Sequence, residues 1–105
     1  MLKVLNKEIH LSKGDDASIE ISLTRENQPY ILEKGDKVVF SVGETELRKE
    51  LTNEGGSTVN LVFSPADTKN LNAGFYYYDL KMLYGNGTTN ALIPPTIFEV
   101  MDVVE

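Results

Sequence analysis

A chain of 105 residues is long enough for one domain with its own core and too short for two. At 41% hydrophobic and 25% charged it has the make-up of an ordinary globular protein, and the lack of cysteine excludes disulfides, thiolate metal sites and cysteine nucleophiles while fitting synthesis in a reducing cytoplasm. The net charge of -6, from 10 Lys plus Arg against 16 Asp plus Glu, would repel a phosphate backbone, and Lys34, Lys37, Arg48, Lys49, Lys69 and Lys81 are scattered, so no nucleic-acid partner is expected.

The N-terminal stretch MLKVLNKEIHLSKGD has no signal-peptide core, and no apolar run reaches the roughly 18 residues that span a bilayer. The expectation is a chain neither inserted in a membrane nor exported by the general route. Glu8 to Leu11 reads as a short strand with Ile9 and Leu11 inward, followed by a turn over Lys13-Gly14-Asp15-Asp16. Ile19, Ile21 and Leu23 alternate with Ser18, Glu20, Ser22 and Thr24, the pattern of a strand with one wet face. Arg25 to Gln28, before Pro29, is a hairpin-like loop. Tyr30 to Glu33 then carries the chain across to a turn at Lys34-Gly35-Asp36. Val38, Phe40 and Val42 form a third inward set, opposite Lys37, Val39 and Ser41.

Gly43 and the charged run Glu44 to Glu50 suggest an edge strand, because charges discourage pairing with other chains. A Gly55-Gly56 turn ends it, and Val59, Leu61 and Phe63 supply another alternating strand. Ser64-Pro65-Ala66-Asp67 offers an N-cap serine, proline at the first helical position and an acid at the third, so a short helix is expected from Pro65 to about Leu71. Gly74 then opens an aromatic strand. Tyr76, Tyr78, Leu80, Met82 and Tyr84 fall on one of its faces and Phe75, Tyr77, Asp79, Lys81 and Leu83 on the other; if Tyr76 and Tyr78 point to the core, Phe75, Tyr77 and Leu83 lie on the outer sheet face, flanking Asp79 and Lys81. Asn86-Gly87 favours a two-residue type I′ hairpin into a strand from Thr88 to Ile93. Pro94-Pro95 is expected to break that strand or move it to the other sheet, and Phe98 and Val100 resume the inward pattern to the C-terminus.

Seven to eight short antiparallel strands, turn signals at regular spacing and one helical turn near residues 65–71 point to a single all-β, immunoglobulin-like sandwich over residues 1–105. No catalytic constellation accompanies it. His10 is the sole histidine, with no second imidazole for zinc, and no nucleophile-elbow sequence surrounds any serine. Asp15, Asp16 and Asp36 sit in turns, where aspartate ordinarily bonds local backbone, and lack the donor alternation of a calcium loop. Lys34-Gly35-Asp36 precedes a strand, whereas a phosphate cradle needs a helix. No metal, cofactor or catalytic residue is therefore assigned.

The ordered residues Gly14-Asp15, Ile19 to Leu23, Gln28-Pro29-Tyr30, Gly35-Asp36, Val38 to Val42, Asp67-Thr68, Leu71, Gly74 and Tyr76-Tyr77-Tyr78-Asp79 resemble the N-terminal immunoglobulin-like domain of phage baseplate upper proteins. The resemblance spans almost the whole chain. It implies a structural tail component of phages or prophages of Gram-positive bacteria, made in the host cytoplasm and carried in the virion, with other tail and baseplate proteins or further copies of itself as partners. Members of that family continue into a trimerising helical or fibre-forming region; this sequence ends at Glu105, so the expectation is a free-standing module or a short tail accessory protein. Candidate contact residues are Phe75, Tyr77 and Leu83 on the outer face of the aromatic strand, with Glu46 and Arg48 on the charged edge. The alternative is a carbohydrate-binding module, in which the same rings would line a groove with Asp79 and Asn90.

Overall fold

The computed structural model describes residues 2–4 and 8–102. The described residues form a β-sandwich of nine strands and one helical turn. The strands are β1 (Leu2–Val4), β2 (Ile9–Ser12), β3 (Ala17–Arg25), β4 (Gln28–Pro29), β5 (Lys37–Val42), β6 (Arg48–Leu51), β7 (Thr58–Phe63), β8 (Gly74–Leu83) and β9 (Thr89–Met101), with α1 (Pro65–Thr68) between β7 and β8. One sheet holds β1, β3, β4 and β7, with β7 paired to β3; the other runs β2-β9-β8-β5-β6. The order β9-β8-β5-β6 corresponds to strands G, F, C and C′ of an immunoglobulin-like sandwich, and β3 beside β7 corresponds to B beside E.

The inward positions read from the alternation form one core. Ile21, Leu23, Val59, Leu61 and Phe63 of one sheet meet Val38, Phe40, Val42, Tyr78, Leu80, Met82, Phe98 and Val100 of the other. At its centre three phenylalanines interlock across the sheets: Phe40 to Phe63 at 5.6 Å, Phe63 to Phe98 at 5.8 Å and Phe40 to Phe98 at 6.0 Å between ring centroids. Such spacing suits edge and tilted aromatic contacts, which add to the burial of the rings themselves. Val39 points outward between Glu50 and Lys81 in register, yet is only 9% exposed.

The corner between β7 and β8 is set by local chemistry. Pro65 opens α1, and the Asp67 carboxylate reaches back to accept from the Ser64 backbone N–H at 2.8 Å. Thr68 is fully buried, and its hydroxyl accepts from Gly14 N at 2.9 Å, tying the corner to the β2–β3 turn. At the start of β8, Tyr76 Oη donates to the Asn72 carbonyl at 2.7 Å, the back-bond of a tyrosine corner.

Several expectations need correction. The helix closes at Thr68 rather than near Leu71, because the chain tightens into a turn in which Leu71 N bonds Thr68 O. Glu44 to Glu50 is not one strand: residues 43–46 form a turn pinned by Thr45 Oγ1 donating to Val42 O at 2.9 Å, and only Arg48–Leu51 pairs with β5. The β8–β9 loop is not a two-residue type I′ turn. Tyr84 N bonds Thr88 O across a three-residue loop, Gly87 N bonds Tyr84 O, and Gly87 alone has positive φ, at 92°. That is a type I turn followed by a left-handed glycine.

Pro94-Pro95 neither ends its strand nor changes its sheet. β9 runs through both prolines beside β8, with register shifts at Tyr78/Leu80 and Leu80/Lys81 that absorb the missing donors as bulges. β2 covers β9 only from Phe98 to Met101, so the prolines lie where that side of β9 has no partner among the described residues. The β2–β9 pairing is parallel, in a sandwich otherwise antiparallel among its described pairs. β1 lies upstream of the first strand read from the sequence, and residues 103–105, over which the inward pattern is expected to continue, lie outside the described residues.

Candidate interaction surface

β8 occupies the middle of the five-stranded sheet; β9 pairs with it along its length, whereas β5 pairs with it from Tyr78 to Leu83, with one further bond from Gly43 N to Tyr77 O at 2.8 Å. Phe75 and Tyr77 are 68% and 62% exposed. They neighbour Glu99 and Ile97 of β9 in register, and beyond Glu99 lies His10 of β2. His10 Nδ1 is 2.6 Å from Glu99 Oε1 and Nε2 is 3.2 Å from Glu8 Oε1. Hydrogen bonding to Glu99 and then Glu8 raises the imidazole pKa above its ordinary value. The rings therefore sit at one end of the outer face beside an acid-flanked histidine.

The other end of this face is basic and ion-paired. Lys81 stands beside Val39, and Leu83 beside Lys37. Glu50 of β6 accepts from Arg48 Nη1 at 2.7 Å and from Lys37 Nζ at 3.2 Å. Those two bonds hold its carboxyl below the usual range. Between the two ends a shallow depression of about 210 Å³ is lined by Ser41, Val42, Gly43, Tyr77, Tyr78, Asp79 and Pro95.

Phe75, Tyr77, Leu83 and Arg48 thus share one sheet face, but they are not one cluster. Leu83 is half-buried and lies six residues from Tyr77, roughly 20 Å along the strand. Glu46 is apart from the face altogether. It lines a cleft of about 510 Å³ between the β5–β6 turn and the α1 corner, with Asp67, Asn70, Asn72 and Tyr76 among its neighbours. Asp67 is held there by Lys49 Nζ at 3.0 Å. Burial pushes its carboxyl up, but the Ser64 backbone bond and Lys49 outweigh that, and its pKa falls below the ordinary value. Asn90, offered as a polar companion to the rings, pairs with inward-facing Met82 and so lies on the opposite side of the sheet.

A second polar assembly escaped the sequence reading. Asp36, 5% exposed, accepts from Tyr30 Oη at 2.7 Å, Glu33 N at 2.9 Å and Gly85 N at 3.0 Å. Burial disfavours its charge, but these three bonds with Arg25 nearby outweigh burial, and its pKa is lowered. Burial first, then Asp36, drives the Tyr30 phenol pKa up, so it stays a donor. Arg25 lies 4.6 Å over the Tyr30 ring and donates to Tyr84 Oη at 2.8 Å. The hub joins the loop before β5 to the β8–β9 loop; it is an architectural tie with its donors and acceptors matched. Only the Gly35-Asp36 turn signal hinted at it, and the long-range partner Gly85 carries no sequence signal.

Among the described residues no group of three or more His, Cys, Asp or Glu is arranged to hold a metal ion. Among the described residues no helix is long and apolar enough to cross a membrane. No family model matches the chain, and no curated protein matches its sequence. Among solved structures the chain is similar to a Bacteroides vulgatus protein described as a "putative glycoside hydrolase", at 15% identity and a TM-score of 0.51. The match covers 93% of this chain and 17% of that one. A likeness at this identity concerns the sandwich fold alone.

Proposed function

We propose that this domain is a non-enzymatic interaction module of a phage or prophage tail, seated in the baseplate, and that it docks other tail proteins or further copies of itself through the outer face of β8. The observation that carries the reading is the exposed pair Phe75 and Tyr77 on the central strand, held in register by β9. Large rings on a preordered surface lose little entropy on burial and are common anchors of protein interfaces. The tail assignment draws on the resemblance of the turn and core residues from Gly14 to Asp79 to baseplate upper proteins. The carbohydrate reading loses one of its two polar partners, because Asn90 is on the wrong side of the sheet.

The proposal is tested by isolating tail particles from induced cells of the strain that encodes the chain and assaying them for it by mass spectrometry. The native chain is expected at fixed stoichiometry in the particles, and a Phe75→Ser, Tyr77→Ser double variant is expected to be depleted from them. Particles free of the native chain overturn the tail assignment. Undiminished incorporation of the variant overturns the role of the rings.

A further inference from the structure

Of the asparagines in the chain only Asn86 is followed by glycine. Glycine has no Cβ to hinder approach to its own nitrogen, so an Asn-Gly peptide is where a side-chain carboxamide most readily closes on the main chain. Asn86 and Gly87 are both exposed in the β8–β9 loop, and a Cβ built on Gly87 would meet no atom of the described residues within 4 Å. Water and a small leaving group therefore pass freely. The loop is closed by Tyr84 N donating to Thr88 O at 2.8 Å.

Thr88 fixes the Asn86 carboxamide twice. Thr88 N donates to Asn86 Oδ1 at 3.0 Å, and Thr88 Oγ1 donates to the same oxygen at 2.7 Å. The first bond makes an Asx-turn: the side chain folds back over the Asn86–Gly87 peptide, and Cγ and Gly87 N lie within one hydrogen-bonded ring. Both donors also stand at the oxygen on which negative charge develops when a nucleophile attacks Cγ. The loop thus holds an electrophile, a nucleophile that closes a five-membered ring with it, and donors for the oxyanion. The bond from Gly87 N to Tyr84 O at 2.9 Å opposes the closure and has to be released.

We infer that Asn86 is a self-modification site, converted to aspartate and isoaspartate, with Thr88 as its positioning residue. Gly87 N gives its proton to solvent base and bonds Cγ; the Cγ–Nδ2 bond breaks, and the amide nitrogen leaves as ammonia with a proton from water. Water then opens the succinimide. Its hydroxyl adds to the side-chain carbonyl to give aspartate, or to the main-chain carbonyl to give isoaspartate, and its other proton returns to Gly87 N. Aspartate adds one negative charge to a chain already at -6 and keeps an acceptor for Thr88. Isoaspartate also puts one more carbon into the main chain between Tyr84 and Thr88. Gly85 N, which donates to Asp36 Oδ1 at 3.0 Å, sits in that same span. The modification therefore acts on the tie between this loop and the loop before β5. It is independent of the β8 face.

Incubation of the full chain in mildly alkaline buffer, followed by peptide mapping with mass spectrometry and isoaspartyl-specific methylation, tests the inference. Asn86 is expected to convert ahead of every other asparagine, and an Asn86→Gln chain to stay unconverted at that position. Thr88→Val is expected to convert about fivefold more slowly, the worth of one net hydrogen bond, and Thr88→Ser at the native rate. The isoaspartyl fraction is expected to unfold at lower urea than the native chain, and Asn86→Asp close to native. A native chain that stays intact at Asn86 overturns the inference. A Thr88→Val chain that converts as fast as native, or faster, overturns the role of Thr88, and an isoaspartyl fraction with the native urea midpoint overturns the coupling to Asp36.

Discussion

Removing the Asp36 carboxylate tests whether the loops at one end of the sandwich are held by a single buried acceptor. Asp36→Ala withdraws the acceptor from Tyr30 Oη, Glu33 N and Gly85 N at 2.7, 2.9 and 3.0 Å. A hydrogen bond to a charged group is worth about 1.5–3 kcal/mol, but bonds that share one acceptor are not additive, and Tyr30 can turn to water. A net loss of about 3–4 kcal/mol is expected, a large part of the 5–15 kcal/mol typical of a domain. At about 4–8 °C per kcal/mol the melting temperature should fall by roughly 15–25 °C. Urea titration and thermal melts by circular dichroism read both quantities. The pH profile supplies an internal check. Because the folded-state pKa lies below the unfolded value near 3.9, the stabilisation is present above that value and is lost as pH falls through the folded pKa. Asp36→Asn should therefore show a flatter loss of stability below pH 4 than the native chain. An Asp36→Ala chain that melts within 3 °C of native would refute the hub.

His10, with its pKa raised, contributes stability that is complete below the unfolded value of 6.5 and is lost as pH rises through its folded pKa. Nuclear magnetic resonance titration should give a midpoint above 6.5 that falls on Glu99→Gln. Tyr76→Phe removes the bond to Asn72 O and should cost about 1 kcal/mol, measured by urea denaturation. Gly85→Ala would place a Cβ 2.6 Å from the Lys34 carbonyl oxygen; overpacking of this kind should cost about 1–3 kcal/mol, seen as an earlier urea midpoint.

Period-two alternation carried most of the fold. It placed the inward residues of β3, β5, β7 and β8 correctly because a sandwich strand has one apolar and one wet face, and Phe75 and Tyr77 stand outward for the same reason. The misreadings come from places where local propensity met a tertiary constraint. Asn86-Gly87 would suit a type I′ turn in isolation, but Gly85 packs against Lys34 and Gly35 and gives its N–H to Asp36, and the loop takes one more residue. Pro94-Pro95 reads as a strand break until the bulges opposite β8 and the uncovered side of β9 are known. Charge alone groups Glu46 with Arg48, but the turn pinned by Thr45 on Val42 O contains Glu46, and pairing with β5 begins only at Arg48. The Asp36 hub joins residues 49 positions apart, a link that no local pattern encodes.

Hydroxyl-radical footprinting of the chain, free and within isolated tail particles, tests the central claim most directly, because Phe75 and Tyr77 react readily only when water reaches them. The account predicts strong labelling of both rings in the free domain, where they are 68% and 62% exposed, and several-fold protection in the particle, while the fully buried Phe98 stays unlabelled in both. Equal labelling of Phe75 and Tyr77 in the two states would contradict it.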